Sequence, residues 1–373
     1  MKVGMLTSAR DRCGIAVYSQ DLAEGLRSLV DLEIVPTWDC ACPWETYREQ
    51  AAERLNAADV VHVQHEYSFW GSVLPGRNRF FDQMSSIRRP IVMTAHTLDP
   101  AAQVLGLDLP GSVFRKTAKR MLAGFPPYRR TIEYETFKVA DRIIVHDSFA
   151  KSKLVGRGIA DSSISVIPMG VPAAGPALGN GESFRRKFGL EGRTLLTVFG
   201  FVRPGRGYEV VLDALPMLSW RATLVIAGGP QTPAHEAYLD GLTAEVKSSG
   251  LREQVLVTGY LPDQEVPGAM QASDIILCPQ ESGTGSYSVQ VALPYGRPII
   301  ASDLPCFAAL AKDGDCLLTF ATGDAQDLAA KINSVLDNES IREGLSSRAL
   351  AYAGEHTWKK IAERTVGVYE ELT

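Results

Sequence analysis

The chain has 373 residues, 45% of them hydrophobic, which is enough for two ordinary domains with their own cores and excludes a disordered or fibrous protein. A net charge of -5 and a pI near 5.8 provide no global field for a polyanion, so no nucleic acid is expected as a partner. No apolar run approaches the roughly 20 residues that span a bilayer. The opening Met1-Lys2-Val3-Gly4-Met5-Leu6 leads straight into a strand-like run, without the apolar segment or cleavage site of a leader, so a soluble, cytoplasmic protein is expected. The six cysteines, Cys13, Cys40, Cys42, Cys278, Cys306 and Cys316, show no repeated spacing and read as reduced, mostly packed thiols. Cys40-Ala41-Cys42 lacks a matching second pair, so no metal site is expected there.

Short β-branched runs alternate with longer amphipathic stretches, the pattern of parallel sheets covered by helices on both faces. In chain order the first set of strands is Val3 to Leu6, Leu32 to Pro36, Val60 to Gln64, Ile91 to Ala95, Arg142 to His146 and Ser163 to Pro168. The Pro- and Gly-rich Gly170-Val171-Pro172-Ala173-Ala174-Gly175-Pro176 reads as a linker, followed by a short helix over Ser183 to Phe188. The second set is Thr194 to Phe199, Ala222 to Ala227, Val255 to Thr258, Ile275 to Cys278, Pro298 to Ala301 and Cys316 to Phe320. Two such sets predict an α/β protein of two doubly wound, Rossmann-like domains. The boundaries fall at 1–171 and 172–356, and a final helix opening near Trp358 carries 357–373 back to the first domain.

In an open parallel sheet the ligand lies beyond the carboxyl ends of the strands, so the loops after each strand carry the candidates. The first is Ser8-Ala9-Arg10-Asp11-Arg12-Cys13-Gly14-Ile15. Gly14 lets a ligand approach the backbone at the start of a helix near Ala16, although a plain strand-to-helix turn reads the same way. Gln64-His65-Glu66-Tyr67-Ser68-Phe69-Trp70-Gly71 mixes rings with polar groups, which suits a sugar; a structural His65-Glu66 pair is the alternative. His62 and His65 have a metal-like spacing but point to opposite faces of a strand. His96 follows the apolar strand Ile91 to Ala95 at its cleft end, although taken alone it reads more often as a structural hydrogen-bonding residue.

Arg206, in the turn Arg203-Pro204-Gly205-Arg206-Gly207, supplies a planar cation suited to phosphate. Pro279-Gln280-Glu281-Ser282-Gly283-Thr284-Gly285-Ser286-Tyr287-Ser288 is a pliable loop before a helix, with amides able to cradle a diphosphate. It is neither a Walker loop nor the dinucleotide fingerprint. Arg115-Lys116-Thr117-Ala118-Lys119-Arg120-Met121-Leu122, with Tyr128-Arg129-Arg130 beyond it, reads as a basic face for peripheral contact with an anionic membrane or as a solvated helix face.

Taken in order, Cys13-Gly14-Ile15-Ala16-Val17-Tyr18, Ala58 to Tyr67, Thr94-Ala95-His96, Ser165 to Val171, Phe199 to Gly207 and Ala272-Ser273-Asp274 through Gly296-Arg297-Pro298-Ile299-Ile300 resemble family 4 of the retaining glycosyltransferases, with the GT-B fold. The resemblance implies two domains facing across a cleft and transfer of a sugar with retention at the anomeric carbon. The donor is a nucleotide-diphosphate sugar, and the acceptor a glycan, lipid-linked or small molecule. It also implies catalytic roles for His96, Arg206 and Glu281. Arg206 stands for the family lysine on the diphosphate, alongside donor contacts from Gly14, Arg203, Gly283, Thr284, Gly285, Ser286, Tyr287 and Ser288. His65, Glu66 and Tyr67 fall on the acceptor side. No metal or other cofactor is implied, because cationic side chains and a helix end neutralise the leaving group.

Two departures from the family pattern stand out. Phe201 replaces an arginine, and the paired glutamates are replaced by Gly283 and Val291, which resembles a branch of the family lacking the second glutamate. Val291 cannot accept a hydrogen bond from a ribose, whereas Glu281 lies two residues from the first slot. A non-catalytic nucleotide-sugar-binding partner and a sugar-nucleotide epimerase are the competing readings.

Overall fold

The computed structural model describes residues 1–9, 13–70, 79–98, 130–175, 180–283 and 287–373. Its contacts divide the chain into two units, Met1–Gly170 with Trp358–Thr373, and Val171–Thr357.

The first unit is built on six parallel strands, β1 (Lys2–Thr7), β2 (Asp31–Pro36), β3 (Val60–His65), β4 (Ile91–Ala95), β5 (Arg142–Val145) and β6 (Ile164–Val166), in the order β2-β1-β3-β4-β5-β6. Every residue of β3 and β4 is buried, as expected of strands covered on both faces. One face packs Val61, Val63, Met93, Phe80 and Phe137 into an apolar core. Helix Trp358–Glu370 lies against helix Gly14–Leu26, with the Tyr18 and Trp358 rings edge to face at 4.9 Å.

The second unit carries β7 (Thr194–Phe199), β8 (Ala222–Ala227), β9 (Val255–Val257), β10 (Ile275–Cys278), β11 (Ile299–Ser302) and β12 (Leu318–Phe320), in the order β12-β11-β10-β7-β8-β9 and again all parallel. This is the order of a dinucleotide-type Rossmann sheet. Helix Gly181–Phe188 opens on Asn180, whose side chain accepts the Ser183 N–H, and closes on Gly189 in the left-handed region. Asp274, just before β10, accepts from the Leu195 N–H at 2.7 Å and pairs with Arg185 at 2.9 Å, so the Ala272-Ser273-Asp274 segment pins the entry of β7.

All twelve expected strands are present, each within two residues of its expected ends. Strand order reverses between β1 and β3 in the first sheet and between β7 and β10 in the second. At such switch points adjacent loops diverge and leave a crevice at the carboxyl ends of the strands. The loops after these four strands hold the candidate residues of each unit, apart from His96, which follows β4.

Candidate active site

In the second unit, the loops after β7 and β10 are fastened to each other by the Glu281 N–H, which donates to the Gly205 carbonyl at 3.1 Å. The Val202 N–H ties the first of them to Gly229, beyond β8, at 2.8 Å. Gly207 has φ +73°, and a Cβ there would sit 1.8 Å from the Pro279 oxygen, so only glycine allows the two loops to meet. Gly207→Ala is expected to cost at least about 2 kcal/mol through left-handed strain plus the clash. Gly189→Ala, at φ +64° with open space around it, separates the two terms. Chemical denaturation checks the pair, and equal losses in the two variants would remove the close approach as the reason for Gly207.

This packing places Arg206, only 8% exposed, at the switch point. Its Nη2 donates to the Phe199 carbonyl at 2.6 Å and to Ser288 Oγ at 3.3 Å. A guanidinium so held needs no reorganisation to meet an anion. Tyr208 beside it is fully buried, and burial raises its phenol pKa while Arg206 partly offsets the rise.

Arg203 is partly exposed, and its Nη1 lies 3.4 Å from the Pro204 carbonyl. Glu281 and Gly283 are exposed on the loop rim, and Tyr287 and Ser288 open a helix over Tyr287–Ala292. Thr284, Gly285 and Ser286 lie outside the described residues, as does the basic stretch 115–122. Val291 packs against the apolar group around Ile276 and Val289, and Phe201 is partly buried, so neither restores the polar contact it replaces.

In the first unit, helix Gly14–Leu26 begins two residues earlier than expected. Gly14 is therefore its first residue, exposed, with nothing within 4 Å of where a Cβ would stand. His96, just beyond β4, is partly exposed and its Nε2 lies 2.8 Å from Gln64 Oε1. Tyr18 meets its ring edge to face at 4.8 Å, and His146 lies 5.5 Å away. Desolvation foremost, then the neighbouring His146, holds the His96 imidazole well below its usual range, so the ring is neutral at pH 7. His146 is likewise lowered by burial, to about 4.

The expected acceptor-side trio separates. His65 is 1% exposed and enclosed by Tyr67, Phe80 and Phe137, and Tyr67 is 3% exposed in the same cluster. In this structure both pack in the core: His65 because odd-numbered positions of β3 point to the opposite side from His62 and Gln64, and Tyr67 because the turn after β3 lays its ring against His65. Glu66, also nearly buried, accepts from Thr97 Oγ1 at 2.5 Å, and burial pushes its carboxyl pKa up. Among the described residues no group of three His, Cys, Asp or Glu side chains is placed to hold a metal ion, and all six cysteines are free thiols. No helix of the described residues is long and apolar enough to cross a membrane.

Sequence reasoning did not single out Tyr18, His62, Gln64, His146 or Tyr369 as a group. The trace it could have followed is the pair of polar side chains, two residues apart, inside the otherwise apolar β3.

Residues 32–174 match the family model described as Glycosyltransferase Family 4, and residues 180–351 match that of Glycosyl transferases group 1. The two models sit one on each unit and in the same order. The chain is a glycosyltransferase. Both matched models and the named relatives support this. The phosphatidyl-myo-inositol mannosyltransferase of Mycolicibacterium smegmatis is 26% identical to this glycosyltransferase, over 84% of the present chain and 72% of the relative. The D-inositol 3-phosphate glycosyltransferase of a Nocardioides species is 23% identical over 88% and 71%. Among solved structures, Anabaena HepE in complex with UDP superposes with a TM-score of 0.77 at 16% identity and full coverage of both chains. WaaG, a glycosyltransferase involved in lipopolysaccharide biosynthesis, gives 0.65 at 15%, covering 99% of each. At these identities the structures establish the shared GT-B fold of two Rossmann-like domains.

Proposed function

We propose that this glycosyltransferase moves a hexose or modified sugar from a nucleoside-diphosphate sugar to a glycan, lipid-linked or small-molecule acceptor, with retention and without a bound metal. The observation that carries this reading is Arg206, a buried and pre-oriented guanidinium at the switch point of a Rossmann sheet. In this reading the second unit binds the donor and the first serves the acceptor side. HepE, a protein of the same fold, is known with UDP and with UDP-glucose, which supports a uridine-type donor among the candidates. The relatives named for phosphatidyl-myo-inositol and D-inositol 3-phosphate support a polyol-bearing acceptor, lipid-linked or free.

In the transfer, the bond between the anomeric carbon and the diphosphate oxygen breaks as the acceptor hydroxyl oxygen bonds to the same face of the sugar. The hydroxyl proton passes to the leaving phosphate oxygen. Negative charge grows on the diphosphate, and Arg206 stabilises it more in the transition state than in the bound donor. Loop amides around Gly283 to Ser288 add donors, Arg203 stands near the position where Phe201 replaces the family arginine, and Glu281 serves for the missing first glutamate. His96 is assigned to the transferred sugar and Gly14 to close backbone approach.

A thermal-shift screen against UDP-, GDP-, ADP- and TDP-sugars in the presence of EDTA tests the proposal. A donor at a hundred times its Kd is expected to stabilise the fold by about 2.7 kcal/mol. Stabilisation only when a divalent metal is added would overturn metal independence, and none by any donor in folded protein would overturn the donor assignment.

A further inference from the structure

The loop after β2 is folded back on itself at the carboxyl end of the first sheet. Trp38 Nε1 donates to the Cys42 carbonyl at 2.9 Å, the Ala41 N–H donates to Asp39 Oδ1 at 2.9 Å, and Cys40 takes a left-handed φ of +72°. The Trp38 ring thereby meets Trp44 edge to face, centroids 5.9 Å apart, at the start of helix Trp44–Asn56. Tyr47 lies against Trp44 at 5.6 Å, and its hydroxyl donates to the Pro36 carbonyl at 2.8 Å. The two indoles are held in place by the fold itself.

Onto this pair comes Arg79, the first residue of the helix Arg79–Met84 that follows β3. Its guanidinium carbon lies 3.8 Å from the centre of the Trp38 ring and 5.5 Å from that of Trp44. In the order β2-β1-β3 the strand β1 stands between the two that lead to Trp38 and Arg79, so the segments flanking β1 meet beside the switch point of this sheet. A guanidinium that stacks through its flat face keeps the N–H groups on its rim for other partners. Arg79 is partly exposed, and among the described residues it makes no ion pair or hydrogen bond, with Asp39 and Glu45 included. Arg54, on the neighbouring helix, is by contrast taken up by Glu33 and the Ile34 carbonyl.

We propose that Arg79, laid flat on Trp38, binds a phosphate ester carried by the acceptor, with Trp38 as the positioning residue. The proposal rests on the reading of the first unit as the acceptor side. The free rim of a guanidinium meets two phosphate oxygens side by side, and each bond is charge-assisted, whereas a neutral polyol offers it hydroxyls alone. Support by the indole removes much of the rotamer freedom that a solvated arginine loses on binding. The anion is a phosphate because the acceptor in that reading is a polyol, free or lipid-linked. A phosphate ester is the group that gives a polyol negative charge and that joins it to a lipid.

Titration calorimetry of the full chain with D-inositol 3-phosphate and glycerol 3-phosphate, set against unphosphorylated myo-inositol, tests the soluble form of the ligand. Flotation with phosphatidylcholine vesicles, with and without phosphatidylinositol, tests the lipid form. A phosphate ester is expected to bind more tightly than myo-inositol, and Arg79→Gln to weaken it about tenfold, the scale of one charge-assisted hydrogen bond. Arg79→Lys should recover little, because an ammonium lacks the planar fork. Trp38→Ala should weaken binding although the cation remains, and Trp38→Phe, which offers Arg79 another ring face, should restore it. A stack that only packs the loop would change the melting temperature of these variants and not their affinity.

Binding of the soluble esters, lost in Arg79→Gln, assigns a free phosphorylated polyol. Binding confined to the phosphatidylinositol vesicles, and lost in the same variant, assigns a lipid headgroup. Wild-type affinity in folded Arg79→Gln overturns the proposal. So does a wild-type chain with no preference for a phosphate ester in either form, even if the variants do not fold. The titrations need no donor, so a chain that binds phosphate esters through Arg79 and yet no nucleotide sugar would fail the functional reading alone.

Discussion

Arg206→Ala is expected to weaken binding of the nucleoside-diphosphate donor about a hundredfold, the scale of truncating one partner of a buried charge pair. The reason is local. The guanidinium is only 8% exposed and is already oriented by the Phe199 carbonyl and Ser288, so it meets a diphosphate without first losing conformational freedom. Alanine leaves the phosphate oxygens facing low-dielectric walls with one cation fewer. Arg206→Lys restores charge but not the fork of donors, so it should recover part of the affinity and less of the turnover. Because Arg206 also fastens Phe199, both variants should melt lower, and affinity is therefore measured by titration calorimetry well below the melting temperature. Wild-type affinity in folded Arg206→Ala would remove the phosphate assignment.

The second large effect is acid lability. His62 and His65 are 0% and 1% exposed, and burial lowers both pKa values to about 3. In the unfolded chain each titrates near 6.5. Between these limits the unfolded state binds protons that the native state refuses, so stability is lost as pH falls from about 6.5 toward 3. Two such groups give a slope of about 3 kcal/mol per pH unit once the unfolded histidines are fully charged. His96 and His146, also lowered, add in the same direction.

Glu66 opposes them, because its raised carboxyl pKa makes the native state take up a proton before the unfolded chain does. It is one group against four. Melting followed by circular dichroism from pH 8 to pH 4 should show a plateau, then a steep fall beginning near pH 6. A melting temperature unchanged down to pH 4.5 would mean that these histidines are not held neutral. His65→Phe, which keeps the ring packing against Phe80 and Phe137, should make the fall shallower.

The sequence by itself determined the architecture. β-branched runs of four to six residues, separated by amphipathic stretches, can bury both faces only as parallel strands between helices, and that constraint is local enough to read from one chain. It also determined which loops to inspect, since carboxyl ends of strands are fixed by strand order along the chain. Arg206 was legible because a cation between two glycines after a strand has few structural reasons to be there.

Which side chains face which way was decided by the tertiary structure. The period-two alternation of β3 separates His62 from His65, but only the packing shows that the His65 side meets Phe80 and Phe137 while the His62 side meets Tyr369 and Thr94. His65 and Tyr67 are thereby core residues, and Gln64 gains a partner in His96. The close approach at Gly207 was likewise invisible, because the Pro279 oxygen that forbids a side chain lies far along the chain. Contacts of this kind join residues through space after the sheet has formed. No periodicity encodes them.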